Sequence, residues 1–307
     1  MNDGGDIFVG TKERFLAVPA KADTLAQLAA EYPDATIVAG STDVGLWITK
    51  QLRELPKIIH TCGVAELHAI TDTGDMLSLG AAATYSEAER HLSAIDPDVA
   101  EVLRRIGAKQ VRASGTVGGN VANGSPIGDM PPMLIALGAA LHLRHGKDTR
   151  KLAIEDFFIA YGKQNRKPGE LVWRIDIPKL KRNEAFRAYK ISKRFDQDIS
   201  ALLGAFKFTL EGRRIASARL AYGGMAATPK RAVLAEAVLA GTSLDAPATW
   251  DAAIHALTQD FQPITDMRAS AAYRIETAQA LVRKALIEIA SRGKADTRLI
   301  GLRTEAA

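Results

Sequence analysis

The stretch from Val111 to Pro132, VRASGTVGGNVANGSPIGDMPP, constrains this chain most. It holds five glycines, three prolines and two asparagines, and one basic residue, Arg112. Glycine lets a backbone approach a ligand closely. A long loop inside a compact domain is functional or disordered. Apolar helical text flanks the stretch, so the expectation is an ordered binding loop, followed by a helix from about Pro132 to Leu137. A second glycine-rich turn lies upstream, Gly40-Ser41-Thr42-Asp43-Val44-Gly45, directly after the β-prone Ala35–Ala39 and before a helix expected over Val44–Gln51. A strand, a glycine turn, hydroxyls and a helix start together suit a phosphate. Both turns are rich in donors and poor in side-chain charge, which suits a pyrophosphate or a polyol held by backbone amides. An ordinary tight turn is the bland alternative for either one.

The rest of the chain reads in order. A short helix capped by Asp23 or Thr24 is expected, then strands at Ile58-Ile59, a hairpin of Leu67–Ile70 with Met76–Gly80, and helices at 86–95 and 99–106. Hairpin strands at 141–145 and 151–154 and a strand at 171–177 follow. The text turns polar at Lys179–Asn183, where a domain boundary is expected. Strands at 186–192, 201–210 and 215–222 then precede helices at 231–239, 249–257 and 271–291. In the last helix Ile275, Ala278, Val282, Ala285 and Ile289 recur at steps of three and four, an amphipathic face. The 307 residues suit about two domains.

Several chemistries are excluded. The single cysteine, Cys62, rules out a disulfide framework and a self-contained iron–sulfur or zinc-thiolate site. No metalloprotease His motif, nucleophile elbow, Walker A loop or Rossmann G-x-G-x-x-G is present. His142 and His145 fall on opposite faces of a strand. The net charge of +5 is scattered, so no nucleic-acid partner is expected. MNDGGDIFVG lacks a leader pattern, and the longest apolar run, Met133 to Leu141, is too short for a bilayer. A soluble, cytoplasmic protein without a membrane partner is expected.

The two glycine-rich segments together resemble the FAD-binding domain of the xanthine dehydrogenase family of molybdenum hydroxylases. Phe186–Ser200 (FRAYKISKRFDQDIS) resembles the opening of that family's second flavin-subunit domain. Tyr222-Gly223-Gly224-Met225-Ala226 with Thr228-Pro229, and Arg268–Arg274, resemble its later signatures. Related carbon monoxide and nicotine dehydrogenase subunits tend to carry Gly-Gly-x-Ser-Leu in the first loop, so Gly-Ser-Thr-Asp-Val-Gly favours the xanthine dehydrogenase branch.

The resemblance implies an α+β fold. A PCMH-type, vanillyl-alcohol-oxidase-like FAD domain of two α/β subdomains would occupy residues 1–182, and an antiparallel sheet with helices residues 183–307. It implies that Ala39, Gly40, Ser41, Thr42, Asp43, Val44 and Gly45 cradle the FAD pyrophosphate, and that Thr116, Gly119, Asn120 and Asp129 hold the ribityl chain and phosphates. Asp129 at a helix start is otherwise an N-cap. Leu171 or Val172 would pack near the flavin. Lys190 would stabilise negative charge on the reduced ring, or else be a solvated strand lysine. Asp196 and Asp198 match an acidic stretch facing the nicotinamide, or a surface loop. The implied activity is an oxidoreductase subunit incomplete by itself, in purine catabolism: electrons arrive from 2Fe-2S clusters and a molybdenum cofactor on partner subunits of a hetero-oligomer and leave to NAD+. A quinone or oxygen acceptor, or a non-enzymatic module for an anionic ligand, are the alternatives.

Overall fold

The computed structural model describes residues 5–292, 294, 295, 297 and 298. The chain opens with a hairpin absent from the expectations above, β1 (Ile7–Gly10) and β2 (Phe15–Val18). Helix α1 (Ala22–Glu31) follows, then β3 (Thr36–Val38), α2 (Val44–Thr49) and β4 (Lys57–His60). The four strands form one sheet, β1-β2-β4-β3, in which β4 runs parallel to both β2 and β3. Neither Asp23 nor Thr24 caps α1. The cap position is Lys21, without a side-chain bond, and Asp23 in the first turn pairs with Arg144.

A second sheet takes β5 (Ile70–Asp72), β6 (Met76–Gly80), β7 (Ala140–His145), β8 (Asp148–Ala153), the short pair β9 (Phe158–Ala160) and β10 (Lys163–Gln164) beside it, and β11 (Leu171–Pro178). Its order, β5-β6-β11-β7-β8, is antiparallel throughout. Leu67 lies in a 3-10 turn, so the first hairpin strand begins later than expected.

The expected binding loop is mostly helical. After α3 (Tyr85–Ser93) and α4 (Pro97–Arg104) come α5 (Lys109–Ser114), α6 (Val117–Asn123) and α7 (Met130–Leu137). The glycines misled because they serve packing. A Cβ on Gly118 would lie 2.4 Å from the Ala81 carbonyl oxygen, so α6 reaches the chain at Ala81 only with glycine there. Thr116 caps α6 by accepting from the Gly119 N–H at 3.0 Å. All eight residues of α7 are buried, as an all-apolar helix must be.

Beyond residues 179–183 the chain forms β12 (Glu184–Ile191), β13 (Leu202–Glu211), β14 (Arg214–Gly223) and β15 (Lys230–Arg231), an antiparallel sheet in that order. Helices α8 (Val233–Leu239), α9 (Asp251–Asp260) and α10 (Ala271–Ala290) follow. The sheet is covered on both faces. Phe186, Ala188, Leu203, Ala205 and Ala221 join the core of the first two sheets, while Tyr189, Leu202, Phe206, Leu220 and Tyr222 pack with α8–α10. This explains the unbroken burial of Leu202–Phe206, since a strand sandwiched on both faces loses its alternation. Arg298 ties the two cores by pairing with Asp98 on α4 and Glu288 on α10. Among the described residues no helix is long and apolar enough to cross a membrane.

Candidate functional site

A cavity of about 600 Å³ lies where the three sheets meet, within the roughly 300–1,000 Å³ of small-molecule and cofactor sites. Ala39 through Val44, Thr116, Gly119, Asn120, Asp129, Leu171, Val172 and Lys190 all line it. The sequence expectation thus brought together residues from six separate elements. Gly45 is the exception; it lies in the first turn of α2, and its N–H donates to Ser41 O at 2.8 Å.

The two loops contribute differently. Among the described residues, the backbone N–H groups of Gly40, Ser41, Thr42, Asp43 and Val44 donate no hydrogen bond. Five consecutive unsatisfied donors on a cavity wall make an anion-binding concavity. Ser41 reaches this arrangement in the left-handed region, φ +60°, a conformation that costs a non-glycine residue roughly 1 kcal/mol. Gly40 is fixed by the neighbouring loop. Its Cβ would fall 1.9 Å from Ser114 O, and the Ser114 hydroxyl donates to Gly40 O at 2.6 Å. The second segment spends its amides inside the protein: Val117 N–H on Ala83 O, Gly118 N–H on Ala81 O, Asn120 N–H on Thr116 O. What it leaves toward a ligand is side chain. Asn120 Oδ1 is buried without a partner.

Asp129 stands at the N-cap of α7 but does not cap it. Its Oδ2 accepts from Lys190 Nζ at 2.5 Å, and its Oδ1 from the Ser200 hydroxyl at 2.6 Å. All three are buried, Lys190 to 5% exposure, which overturns the solvated-lysine alternative. The bond from Lys190 is a charge-assisted one in a dry site. Tyr85 completes this end. It is 4% exposed, its hydroxyl has no partner, and it lines the cavity. Burial, then the nearby Asp129 charge, pushes the Tyr85 hydroxyl pKa far up, so Tyr85 stays a neutral donor.

Gln197, Asp198 and Ile199 line the cavity, whereas Asp196 does not. Asp198 is held by Arg194 through its side chain at 3.0 Å and its N–H at 2.8 Å, which lowers its pKa to about 2. Tyr85, Ser200, Ile106 and Arg166 were missed by sequence reasoning. Each reaches the cavity or its ion pair through tertiary packing, and none sits in a glycine-rich turn. Cys62 is free and exposed. His142 binds Asp176 at 2.6 Å across β7 and β11, away from the cavity lining.

The residues present fit a dinucleotide flavin. They offer a row of free amides, orphaned Tyr85 and Asn120 polar atoms, and an apolar wall of Leu171, Val172 and Ile106. Comparison with known proteins agrees. Residues 12–180 match the family described as FAD binding domain in molybdopterin dehydrogenase, and residues 187–289 match the CO dehydrogenase flavoprotein C-terminal domain. The chain is 30% identical over 275 residues to the carbon monoxide dehydrogenase medium chain of Afipia carboxidovorans, covering 89% of this chain and 95% of that one. It is 30% identical over 224 residues to xanthine dehydrogenase/oxidase of Gallus gallus, covering 68% of this chain and 16% of that one, so it spans about a sixth of that relative's length. The fold matches a chain of reconstituted CO dehydrogenase from Oligotropha carboxidovorans with a TM-score of 0.83 and 27% identity, covering 93% of this chain and 100% of that one. The α+β architecture expected from sequence is therefore the observed one, and the chain belongs to the FAD-binding flavoprotein family of the molybdenum hydroxylases.

Proposed function

We propose that this chain is the FAD-carrying subunit of a hetero-oligomeric molybdenum hydroxylase, fed by iron–sulfur clusters on a partner and delivering its electrons to NAD+. The observation that supports the FAD assignment most is the run of unsatisfied amides from Gly40 to Val44 on the cavity wall. FAD, when bound, supplies electron exchange both singly and in pairs.

The chain's residues bind and orient. The Gly40–Val44 amides hold the pyrophosphate. Thr116 and Asn120 offer oxygen and amide groups to the ribityl hydroxyls. Lys190, anchored by Asp129, places a fixed positive charge at the polar end, where it favours an anionic ring. Leu171 and Val172 exclude water. One cysteine does not hold an iron–sulfur cluster, so the clusters belong to a partner subunit or domain, as does the molybdenum site. The NAD+ assignment rests on kinship with xanthine dehydrogenase and on Asp198 at the cavity; the division near residue 182 and a cytoplasmic location belong to the same reading.

The test is the visible spectrum of the purified protein, with identification of the released cofactor. Equimolar FAD that NADH bleaches without oxygen is the expected result. A folded, colourless protein that takes up no FAD on reconstitution refutes the assignment. FAD that NADH leaves oxidised but a hydroquinone reduces replaces NAD+ by a quinone.

A further inference from the structure

Two segments that stand out in the sequence, Tyr222–Ala226 and Arg268–Arg274, contribute no residue to the cavity lining. They meet at Arg274, which is 1% exposed and lies near the start of α10. A cation there opposes the positive end of the helix dipole, and a buried charge is costly unless it is paired. Asp266 supplies the pair, accepting from Arg274 Nη2 at 2.7 Å. The Asp266 carboxylate is itself fixed by the N–H groups of Arg268 at 2.8 Å and Ala269 at 3.2 Å. Arg274 Nη1 donates to two carbonyls, Ala201 O and Gly224 O, the second at 2.7 Å. Its Nε is buried without a partner. An orphaned donor in a dry site is a cost, which the reach of the other two nitrogens offsets.

The two carbonyls sit where the chain enters β13 and leaves β14, and each leads to the cavity. Ser200, the neighbour of Ala201, donates its hydroxyl to Asp129 Oδ1 at 2.6 Å. The Gly224 N–H donates to Pro126 O at 2.7 Å, and Pro126 stands between Ser125 and Ile127, both in the cavity lining. Position 224 accepts only glycine: φ is +79°, and a Cβ would lie 2.5 Å from Ala201 O. Both arms therefore converge on the segment that ends in Asp129, the carboxylate that holds Lys190 Nζ at 2.5 Å. A lysine at position 274 would bring a point charge. Only a planar fork bridges two carbonyls with one nitrogen and a carboxylate with another.

We infer that Arg274 is a positioning residue for the flavin. Its fork fixes Ser200 and the segment from Ser125 to Asp129, these fix the Asp129 carboxylate, and Asp129 fixes the Lys190 ammonium that favours the reduced ring. The inference rests on the FAD assignment above and adds to it a residue that lines no part of the cavity.

The experiment uses the full chain reconstituted with FAD, as wild type, Arg274→Lys, Ser200→Ala and Tyr222→Phe. It measures the affinities for oxidised and reduced FAD and the two-electron midpoint potential. Arg274→Lys should weaken reduced FAD about tenfold more than oxidised FAD, which lowers the potential by about 30 mV. Ser200→Ala cuts one arm and should shift the ratio in the same direction by a smaller factor. Tyr222→Phe removes the bond from the Tyr222 hydroxyl to Ala278 O at 2.9 Å, another tie between β14 and α10. It should lower the urea midpoint and leave the potential unchanged. Equal weakening of oxidised and reduced FAD by Arg274→Lys, to within about twofold, overturns the inference. So does a Tyr222→Phe shift in potential as large as that of Arg274→Lys. If Arg274→Lys does not fold, Asp266→Asn, which frees the fork from its anchor, takes its place with the same expected and refuting results. A wild type that binds no flavin refutes the FAD assignment instead. The flavin-free protein then tests the positioning alone: Arg274→Lys and Ser200→Ala should together lower the urea midpoint by less than the sum of their separate effects, and additive losses overturn it.

Discussion

Replacing Asp129 by alanine should destabilise the cofactor-free protein before it says anything about cofactor contact. The carboxylate is 9% exposed and Lys190 is 5% exposed. Removing one partner of a buried ion pair costs about 3–5 kcal/mol, because the other charge stays in a dry site. The Ser200 hydroxyl, 2% exposed, loses its acceptor as well, at about 1–3 kcal/mol. The two penalties overlap, giving roughly 4–6 kcal/mol for Asp129→Ala. Lys190→Met should cost about 3–5 kcal/mol by the same reasoning. In the double variant no charge is stranded, so its cost should fall below the sum of the single ones by about 3 kcal/mol. Urea unfolding of the flavin-stripped protein near neutral pH measures all three. If Asp129→Ala lies within about 1 kcal/mol of wild type, or the pair adds within about 0.5 kcal/mol, the ion pair is not buried as described. The result also decides how a lowered FAD occupancy in Asp129→Ala is to be read, since loss of fold alone would produce it.

Other outcomes follow from the same geometry. Gly40→Ala should separate the two loops, because its Cβ would meet Ser114 O at 1.9 Å; flavin uptake should fall sharply, and unchanged uptake would contradict the loop contact. Ser41→Gly should stabilise the flavin-free protein by up to roughly 1 kcal/mol by relieving a left-handed serine, read as a rise in the urea midpoint. Arg298→Ala should cost about 1–3 kcal/mol, since Asp98 and Glu288 are 1% and 4% exposed while Glu288 keeps Arg187 at 2.9 Å; an unchanged urea midpoint would deny the link between the cores. Asp266 gives a pH test. Burial works to raise its pKa, but the N–H groups of Arg268 and Ala269 and the Arg274 side chain lower it from 3.8 to about 2. A depressed carboxyl stabilises the fold above its unfolded value and stops doing so as pH falls through the folded one. Asp266→Asn should therefore be less stable than wild type near neutrality, and the gap should close between about pH 4 and pH 2.

The parts of the fold that sequence displayed were those with strong local signals. The 271–290 helix shows a clean apolar face, and β13 and β14 are joined by Glu211-Gly212 in a hairpin. The parts it hid depend on distant partners. Gly115, Gly118 and Gly119 look like loop text, yet Gly118 sits in α6 because Ala81 lies against it. The β1 and β2 hairpin escaped notice because all four β1 residues are exposed, so no alternation marks it. The site was legible in outline, since both glycine-rich segments do line the cavity. Its chemistry was not. The first loop keeps its amides free while the second uses them, a distinction set by Ala81, Ala83 and Thr116.

The partners of Asp129 lie 61 and 71 residues further along the chain, in Lys190 and Ser200. As the polypeptide leaves the ribosome, the segment carrying the two glycine-rich turns is complete well before β12 and β13 have emerged. During that interval the carboxylate stays hydrated and the polar end of the cavity has no lysine. Closure of this end of the cavity thus becomes a late event of biosynthesis, and a nascent chain stalled short of Lys190 would carry the Gly40–Val44 turn without the buried ion pair.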